Sequence, residues 1–249
     1  MNMLSLFGAI FIGLSLGLTG AGGSIITLPV LVYLAGLPAR EAVGISLFVV
    51  GTASLVGAVQ RGRAGDFHLP AALMFALSGM AGAVGGARLT PLVPAPILMI
   101  LFAVLMVAVA LNLLLGARRE LVLPVECRPY RCLLAGLGVG VLTGFIGVGG
   151  GFLLVPALIK FGRLPLRMAT GTSLAVIAFN SAAGFLSHLG EAPPRWPLAL
   201  LFASIAIAGV LAGSYLSSRL PVKRLQQGFA LLVLATGTYV LWQSWQSMV

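Results

Sequence analysis

Apolar runs recur along the whole chain of 249 residues, and short polar segments separate them. A helix needs about 20 apolar residues to cross roughly 30 Å of hydrocarbon. Three runs in each half meet or approach this length. The pattern therefore predicts an all-α polytopic membrane protein with spans at 42–59, 69–87, 96–116, 169–186, 197–217 and 225–245.

The first part of each half has a different pattern, in which a Gly cluster separates two shorter apolar runs. A proline, Pro29 or Pro156, lies inside the second run of each pair. Such runs are too short for ordinary spans and predict either half-helices or a re-entrant hairpin. A bilayer tolerates this backbone only where protein or a water-filled cavity covers it. The four short runs are 4–18, 24–35, 133–146 and 151–161.

The two halves are copies of one unit. A shift of 127 positions aligns the clusters at 20–23 and 147–150, and the same register matches further glycines and prolines. Chance similarity between apolar helices matches Leu and Ala rather than Gly and Pro, so we infer an internal duplication. The predicted organisation is a single membrane domain, 1–249, with repeat one at 1–116, a basic loop at 117–131 and repeat two at 132–249.

Charge decides how the copies are oriented. Only 8% of the residues are charged and 59% are hydrophobic, which is far from the composition of a soluble domain. The net charge of +10 is therefore not taken as evidence of nucleic-acid binding. If each half crosses an odd number of times, the basic residues divide 12 to 3 between the two sides, whereas four crossings divide them 7 to 8. Because cytoplasmic loops carry the excess of Lys and Arg, the odd count predicts inverted repeats, a cytoplasmic central loop and both termini periplasmic. The 12 on the predicted cytoplasmic side are Arg61, Arg63, Arg118, Arg119, Arg128, Arg131, Lys160, Arg163, Arg167, Arg219, Lys223 and Arg224, and the 3 on the other are Arg40, Arg88 and Arg195.

The Gly clusters are the first candidate site. Glycine permits positive φ and close approach of a ligand to the backbone, and each cluster precedes a helix whose free N–H groups favour an anion. The alternative is that the glycines only permit tight packing, which we expect of Gly82/Gly86 and Gly209/Gly213. The candidate substrate-binding glycines are Gly20, Gly22, Gly23, Gly147, Gly149, Gly150 and Gly151.

Polar side chains inside the spans are the second candidate. Ser46 and Ser173 occupy equivalent positions in the two halves, and Thr172 precedes the second. A Ser or Thr hydroxyl commonly donates a hydrogen bond to a backbone carbonyl of its own helix. This purely structural role is the alternative for each of the three. Asn180 is harder to explain in this way, because a buried amide needs partners.

Other chemistry is sparse. No Asp, Glu or Lys lies in the middle of a predicted span, and Arg40 and Glu41 are expected to form a solvated pair. No nucleophile with a base and no metal-ligand cluster can be assembled, so we expect no enzyme, metal or cofactor. The two cysteines, Cys127 and Cys132, match no metal signature and are expected to be free thiols.

The duplicated pattern of Gly-rich cluster, four residues and proline, at 20–29 and 147–156, resembles that of the sulfite exporter TauE/SafE family. The segments 44–46 and 171–173 are similar to its second signature, and the resemblance covers essentially the whole chain. It implies a bacterial inner-membrane permease for sulfite, sulfonates or related anions, with proton coupling implied as well. Ser24 departs from the pattern by replacing a third glycine, which makes the two clusters unequal.

These observations predict a secondary transporter that moves a small sulfur-containing oxyanion, sulfite or an organosulfonate, by alternating access between inverted halves. Two alternatives stay open. One is a passive channel for small anions. The other is a non-transporting anchor that holds a cytoplasmic enzyme through the basic loop. Oligomeric state and direction of transport are not predicted.

Overall fold

A computed structural model describes residues 3–87, 129–146, 151–188 and 195–246, together with residues 100, 101, 103, 104, 106–108, 110, 111 and 114. Every regular element in these ranges is helical. The described residues between 100 and 114 form part of a further helix that we leave unnumbered. The numbered helices are α1 Met3–Thr19, α2 Gly22–Pro29, α3 Ala39–Arg63, α4 Leu69–Ala87, α5 Pro129–Ile146, α6 Gly151–Lys160, α7 Leu166–His188, α8 Trp196–Arg219 and α9 Val222–Gln246.

Among the described residues, four helices contain segments long and apolar enough to cross a membrane: Glu41–Arg63, Leu69–Gly86, Leu166–Leu186 and Trp196–Ser217. They confirm the spans predicted at the corresponding positions of the sequence. Helix α9 covers the run predicted at 225–245. The run predicted at 96–116 lies partly outside the described residues, and those of its residues that are described are helical.

The short elements predicted at the start of each half are also helices. Helix α2 has 8 residues and ends at Pro29, and a π-helical turn, Val30–Leu34, continues it. In this turn the N–H of Ala35 donates to Val30 O at 3.0 Å. Helix α6 has 10 residues and carries Pro156 inside it. Proline has no N–H to donate, which weakens the regular helix around it.

Two pairs of helices pack so closely that glycine is required. Helix α1 runs parallel to α8, and a Cβ at Gly209 would lie 2.8 Å from Ile10 O and 2.9 Å from Leu14 N. Helix α5 runs parallel to α4, where a Cβ at Gly82 would lie 2.9 Å from Val141 N. The second contact is the first shifted by 127 positions. The packing interpretation of Gly82 and Gly209 is therefore confirmed.

Helices α3 and α7, which occupy equivalent places in the two halves, cross each other antiparallel. A Cβ at Gly57 would lie 3.0 Å from Leu174 Cδ1, and a Cβ at Gly51 would lie 3.1 Å from Ser181 Cβ. Residue numbers thus rise along one helix as they fall along the other. The two helices bring the halves together in the centre of the described bundle.

The expectation of free cysteines is wrong for the described part of the chain, because Cys132, in the first turn of α5, is disulfide-bonded. The spacing of the two cysteines argued against a metal site. It carried no information about disulfide bonding, which depends on distances in the folded structure.

The close contact between α4 and α5 generates a stability prediction. In Gly140→Ala the new methyl group would lie 2.8 Å from Gly79 Cα, so the two backbones must separate. We expect the free energy of unfolding to fall by about 1–3 kcal/mol. Gly138→Ala is the matched control, since a Cβ there meets nothing within 4 Å. The measurement is the midpoint of thermal unfolding in detergent. Equal midpoints for the two variants would contradict the packing.

Candidate functional site

The first Gly cluster interrupts the helix between α1 and α2. Gly20 adopts φ +74°, a conformation that side-chain-bearing residues rarely take, and its N–H closes α1 by donating to Leu16 O at 2.8 Å. Ala21 is fully buried, and its N–H points to Thr19 Oγ1 at 3.4 Å. The sequence prediction of a break at this cluster is correct, and the break lies inside protein.

Helix α7 of the other half covers this break. A Cβ at Gly20 would lie 2.6 Å from Thr170 O and 2.7 Å from Thr170 Cα. Ser173 Oγ lies 2.9 Å from Gly20 O, to which it donates, and 2.9 Å from Thr170 O as an alternative acceptor. Ser173 is fully buried. It therefore pairs with a backbone carbonyl that the break leaves without a helical partner.

The two short helices meet at Ser24 and Gly151, which are equivalent positions of the repeat. A Cβ at Gly151 would lie 2.7 Å from Ser24 Oγ, 3.3 Å from Ala21 O and 2.8 Å from Ile177 Cδ1. A side chain at position 151 would have to displace the side-chain ends of Ser24 and Ile177, so glycine allows the closest approach. The beginnings of α2 and α6 are thus neighbours in the interior, on the same side of α7.

Helix α2 begins without a side-chain cap. Its N-cap residue is Ala21, and Ser24 Oγ donates to Ala21 O at 2.9 Å instead of accepting from a backbone N–H. The first N–H groups of a helix have no partner inside the helix and carry its positive dipole end. Together with the neighbouring start of α6, this concentrates positive backbone potential at one buried place.

Asn180 lies on the same face of α7 as Ser173 and Ile177, one turn beyond Ile177. Its side chain is half-buried, and its Oδ1 is buried without a hydrogen-bond partner among the described residues. Its Nδ2 faces Gly79 of α4, 3.8 Å from a Cβ built there. A buried amide oxygen with no partner requires an explanation, and a ligand or water is one.

The other predicted site residues divide into four groups. Thr172 accepts from the N–H of His68 at 3.1 Å and so faces the loop between α3 and α4 rather than the break. Gly23 packs on α1, where a Cβ would lie 2.5 Å from Ile12 O. Ser46 lies half-buried on α3, and Gly22 begins α2. The remaining three, Gly147, Gly149 and Gly150, lie outside the described residues.

Arg61 is a residue that the sequence reasoning used only as a marker of the cytoplasmic side. It is 4% exposed, and its Nη2 donates to Gly17 O at 2.9 Å and to Ser217 Oγ. Its Nη1 lies 3.8 Å from Asp66 Oδ2. The sequence contains an indication of this burial. Arg61 and Arg63 lie two positions apart at the end of one apolar helix, so they point to different faces and only one of them can face water.

At the opposite end of α3, Glu41 pairs with Arg195, with 2.9 Å between Oε1 and Nε. The expected partner was Arg40, whose side chain is not described. Beside this pair three aromatic rings form a cluster: Phe48 lies 5.4 Å from Phe185 and 5.7 Å from Trp196 between ring centroids. The cluster joins α3, α7 and the start of α8.

The contact of Gly20 with α7 generates a second prediction. Gly20→Ala should lower the free energy of unfolding, and with it the thermal midpoint, for two reasons. The positive φ costs about 1–2 kcal/mol, and the overlap with Thr170 costs about 1–3 kcal/mol more. Gly36→Ala is the matched control, because Gly36 also has positive φ, +67°, but a Cβ there meets nothing within 4 Å. The difference between the two midpoints isolates the close approach. Its absence would contradict the described break.

Comparisons with known proteins relate the chain to membrane transporters. A probable membrane transporter protein of Xylella fastidiosa (strain Temecula1) is 33% identical over 245 residues, which cover 96% of this chain and 94% of the relative. The probable membrane transporter protein YdhB of Bacillus subtilis is 26% identical over 222 residues, 87% of this chain and 89% of the relative. No solved structure matches the chain. The sequence profile described as Sulfite exporter TauE/SafE matches residues 5–240. This multi-pass membrane protein therefore belongs to the sulfite exporter TauE/SafE family of membrane transporters.

Proposed function

We propose that the protein is a secondary transporter that carries a small sulfur-containing oxyanion, sulfite or an organosulfonate, across the bacterial inner membrane by alternating access. The observation that carries this proposal is the meeting of α2 and α6 at Ser24 and Gly151, with no side-chain cap on α2. Uncapped helix starts favour anions. The family description names a sulfite exporter, and the relatives are named as transporters.

The proposed ligand site lies where the breaks meet α7. Gly20, Gly22 and Gly151 would let the anion approach the backbone, and the amide of Asn180 would orient it. Ser173 would hold the carbonyl of Gly20 and so keep the N–H groups of α2 directed at the ligand. Thr172 would position the loop between α3 and α4. Gly147, Gly149 and Gly150 stay proposed contacts from the sequence.

The proposed architecture is a pair of inverted repeats. The antiparallel crossing of α3 and α7 supports it, since equivalent helices of inverted repeats run in opposite directions. The pairing of Glu41 with Arg195 supports it too, because both belong to the side that the charge count assigns to the periplasm. Alternating access is then a movement of these elements around the proposed ligand site.

The proposed topology places the loop at 117–131 in the cytoplasm and both termini in the periplasm. The disulfide at Cys132 counts against this, because disulfides persist mainly outside the reducing cytosol. The two native cysteines test it directly. In intact spheroplasts treated with an impermeant reductant, we expect no labelling by an impermeant maleimide. We expect full labelling after lysis, reduction and denaturation, which are needed because Cys132 is fully buried. Labelling before lysis would overturn the topology.

The decisive test of transport is sulfite uptake into proteoliposomes. We expect saturable flux with counterflow, and Gly151→Leu should reduce it at least about tenfold because the side chain fills the place between α2 and α6. Gly138→Leu, which adds the same side chain where a Cβ meets nothing within 4 Å, should keep it.

Each other outcome is informative. Flux without saturation or counterflow would favour a channel over a carrier. Absence of flux for sulfite, sulfate, thiosulfate and short sulfonates would overturn the proposal, and a partner protein lost on neutralising Arg118, Arg119, Arg128 and Arg131 would then favour an anchor. Wild-type flux in Gly151→Leu would overturn the site alone.

A further inference from the structure

Arg61 is a charged side chain whose burial needs an explanation. It lies at the end of an apolar helix that is long enough to cross the membrane, yet it is 4% exposed, while Arg63 two residues later is exposed. An ionisable residue inside a membrane protein is costly to bury and is retained mainly where it has a function. A long side chain at this position can extend to water, as Arg63 does, and Arg61 turns inward instead.

The hydrogen bonds of Arg61 use only part of its guanidinium group. Nη2 donates to Gly17 O and to Ser217 Oγ, which joins α3 to α1 and α8. Nε is buried and has no partner among the described residues. The only carboxylate that the described residues bring within salt-bridge distance is Asp66, whose Oδ2 is 3.8 Å from Nη1, beyond hydrogen-bond length. A purely structural arginine would be expected to have its donors paired.

Arg61 also lies next to the proposed ligand site. Gly17, whose carbonyl it contacts, is three residues before Gly20 in α1. On α7, Arg61 Cβ would lie 3.0 Å from a Cβ at Gly171, the residue after Thr170, on which Gly20 packs. Arg61 thus contacts both helices within about one helical turn of the break, through its guanidinium on α1 and through its Cβ on α7. Arg167 lies close enough to Arg61 to interact with it electrostatically, which adds positive potential.

Asp66 is more accessible to solvent than Arg61. Its side chain is 27% exposed, compared with 5% for that of Arg61, and it belongs to the short loop between α3 and α4. Its backbone N–H donates to Arg61 O at 3.0 Å, so the loop keeps its carboxylate near the guanidinium. A carboxylate at this distance is a weak partner that another oxyanion can replace.

From these observations we infer that Arg61 binds the transported oxyanion on the predicted cytoplasmic side of the break, and that Asp66 takes its place when the anion is absent. A guanidinium presents a planar array of N–H donors that matches the oxygens of an oxyanion in two-point contact. The unpartnered Nε is one such donor. This inference rests on the proposed transport of an anion and names the charged residue that would select for it.

The sign of the effect at Asp66 separates this inference from a structural role. If Asp66 competes with the anion, Asp66→Asn should lower KM for sulfite about two- to fivefold, since a partly exposed pair at this distance is weak. Arg61→Gln should raise KM about ten- to a hundredfold, the scale of a lost charge-assisted hydrogen bond. If the pair only stabilises the fold, both changes should reduce stability and neither should lower KM.

The experiment measures sulfite flux in proteoliposomes and the thermal shift of purified protein with sodium sulfite. Arg63→Gln is the matched control, because it removes an exposed positive charge from the same helix turn and should leave KM unchanged. Arg61→Lys guards against misfolding of Arg61→Gln, since it keeps the charge and should retain part of the affinity. Gel filtration establishes that each variant is folded.

Three results would overturn the inference. One is an unchanged KM in folded Arg61→Gln, and another is a KM that rises in Asp66→Asn. The third is a sulfite thermal shift of equal size in wild type and Arg61→Gln. These results leave the proposed transport intact, whereas a shift that depends on Arg61 without any flux would support anion binding and overturn transport. A wild-type protein that none of sulfite, sulfate and isethionate stabilises would contradict both.

Discussion

The structure depends on one constraint: a backbone group that leaves a helix inside a bilayer must find a partner within the protein. The break at Gly20 releases its carbonyl, and Ser173 from the other half donates to it. The next N–H, of Ala21, turns to Thr19. The start of α2 has no side-chain cap, and the start of α6 lies next to it. The helix break and the candidate anion site are therefore consequences of the same missing hydrogen bonds.

Close glycine contacts then decide which helices belong together. Helix α1 of the first repeat is packed on α8 of the second, and α5 of the second on α4 of the first, in both cases with backbone against backbone. The first helix of each repeat thus packs against a helix of the other repeat. A transport cycle of the proposed kind has to keep each of these pairs together, because separating them exposes backbone to lipid. The looser surfaces are the crossing of α3 with α7 and the two ends of the bundle.

Those ends are chemically unlike each other. One has the buried guanidinium of Arg61, whose Nη1 lies 3.8 Å from the carboxylate of Asp66. The other has the pair of Glu41 and Arg195 at 2.9 Å beside an aromatic cluster. Duplication alone would have made them equivalent, but position 188, which corresponds to Arg61, is histidine. The repeat therefore provides a common framework, and single substitutions make its two ends different.

The sequence alone determined the membrane class, the short helices and the position of the first break, because these follow from local apolar length and from the conformational preferences of Gly and Pro. It also predicts the duplication, from the matching register of Gly and Pro in the two halves. It could not decide which polar side chains face the break. Thr172 and Ser173 are neighbours, yet one pairs with His68, 104 residues away, and the other with Gly20, 153 residues away. Arg61 likewise needs Ser217, 156 residues away. Only the tertiary structure decided these pairings, since they depend on how the helices of the two halves pack and turn against each other.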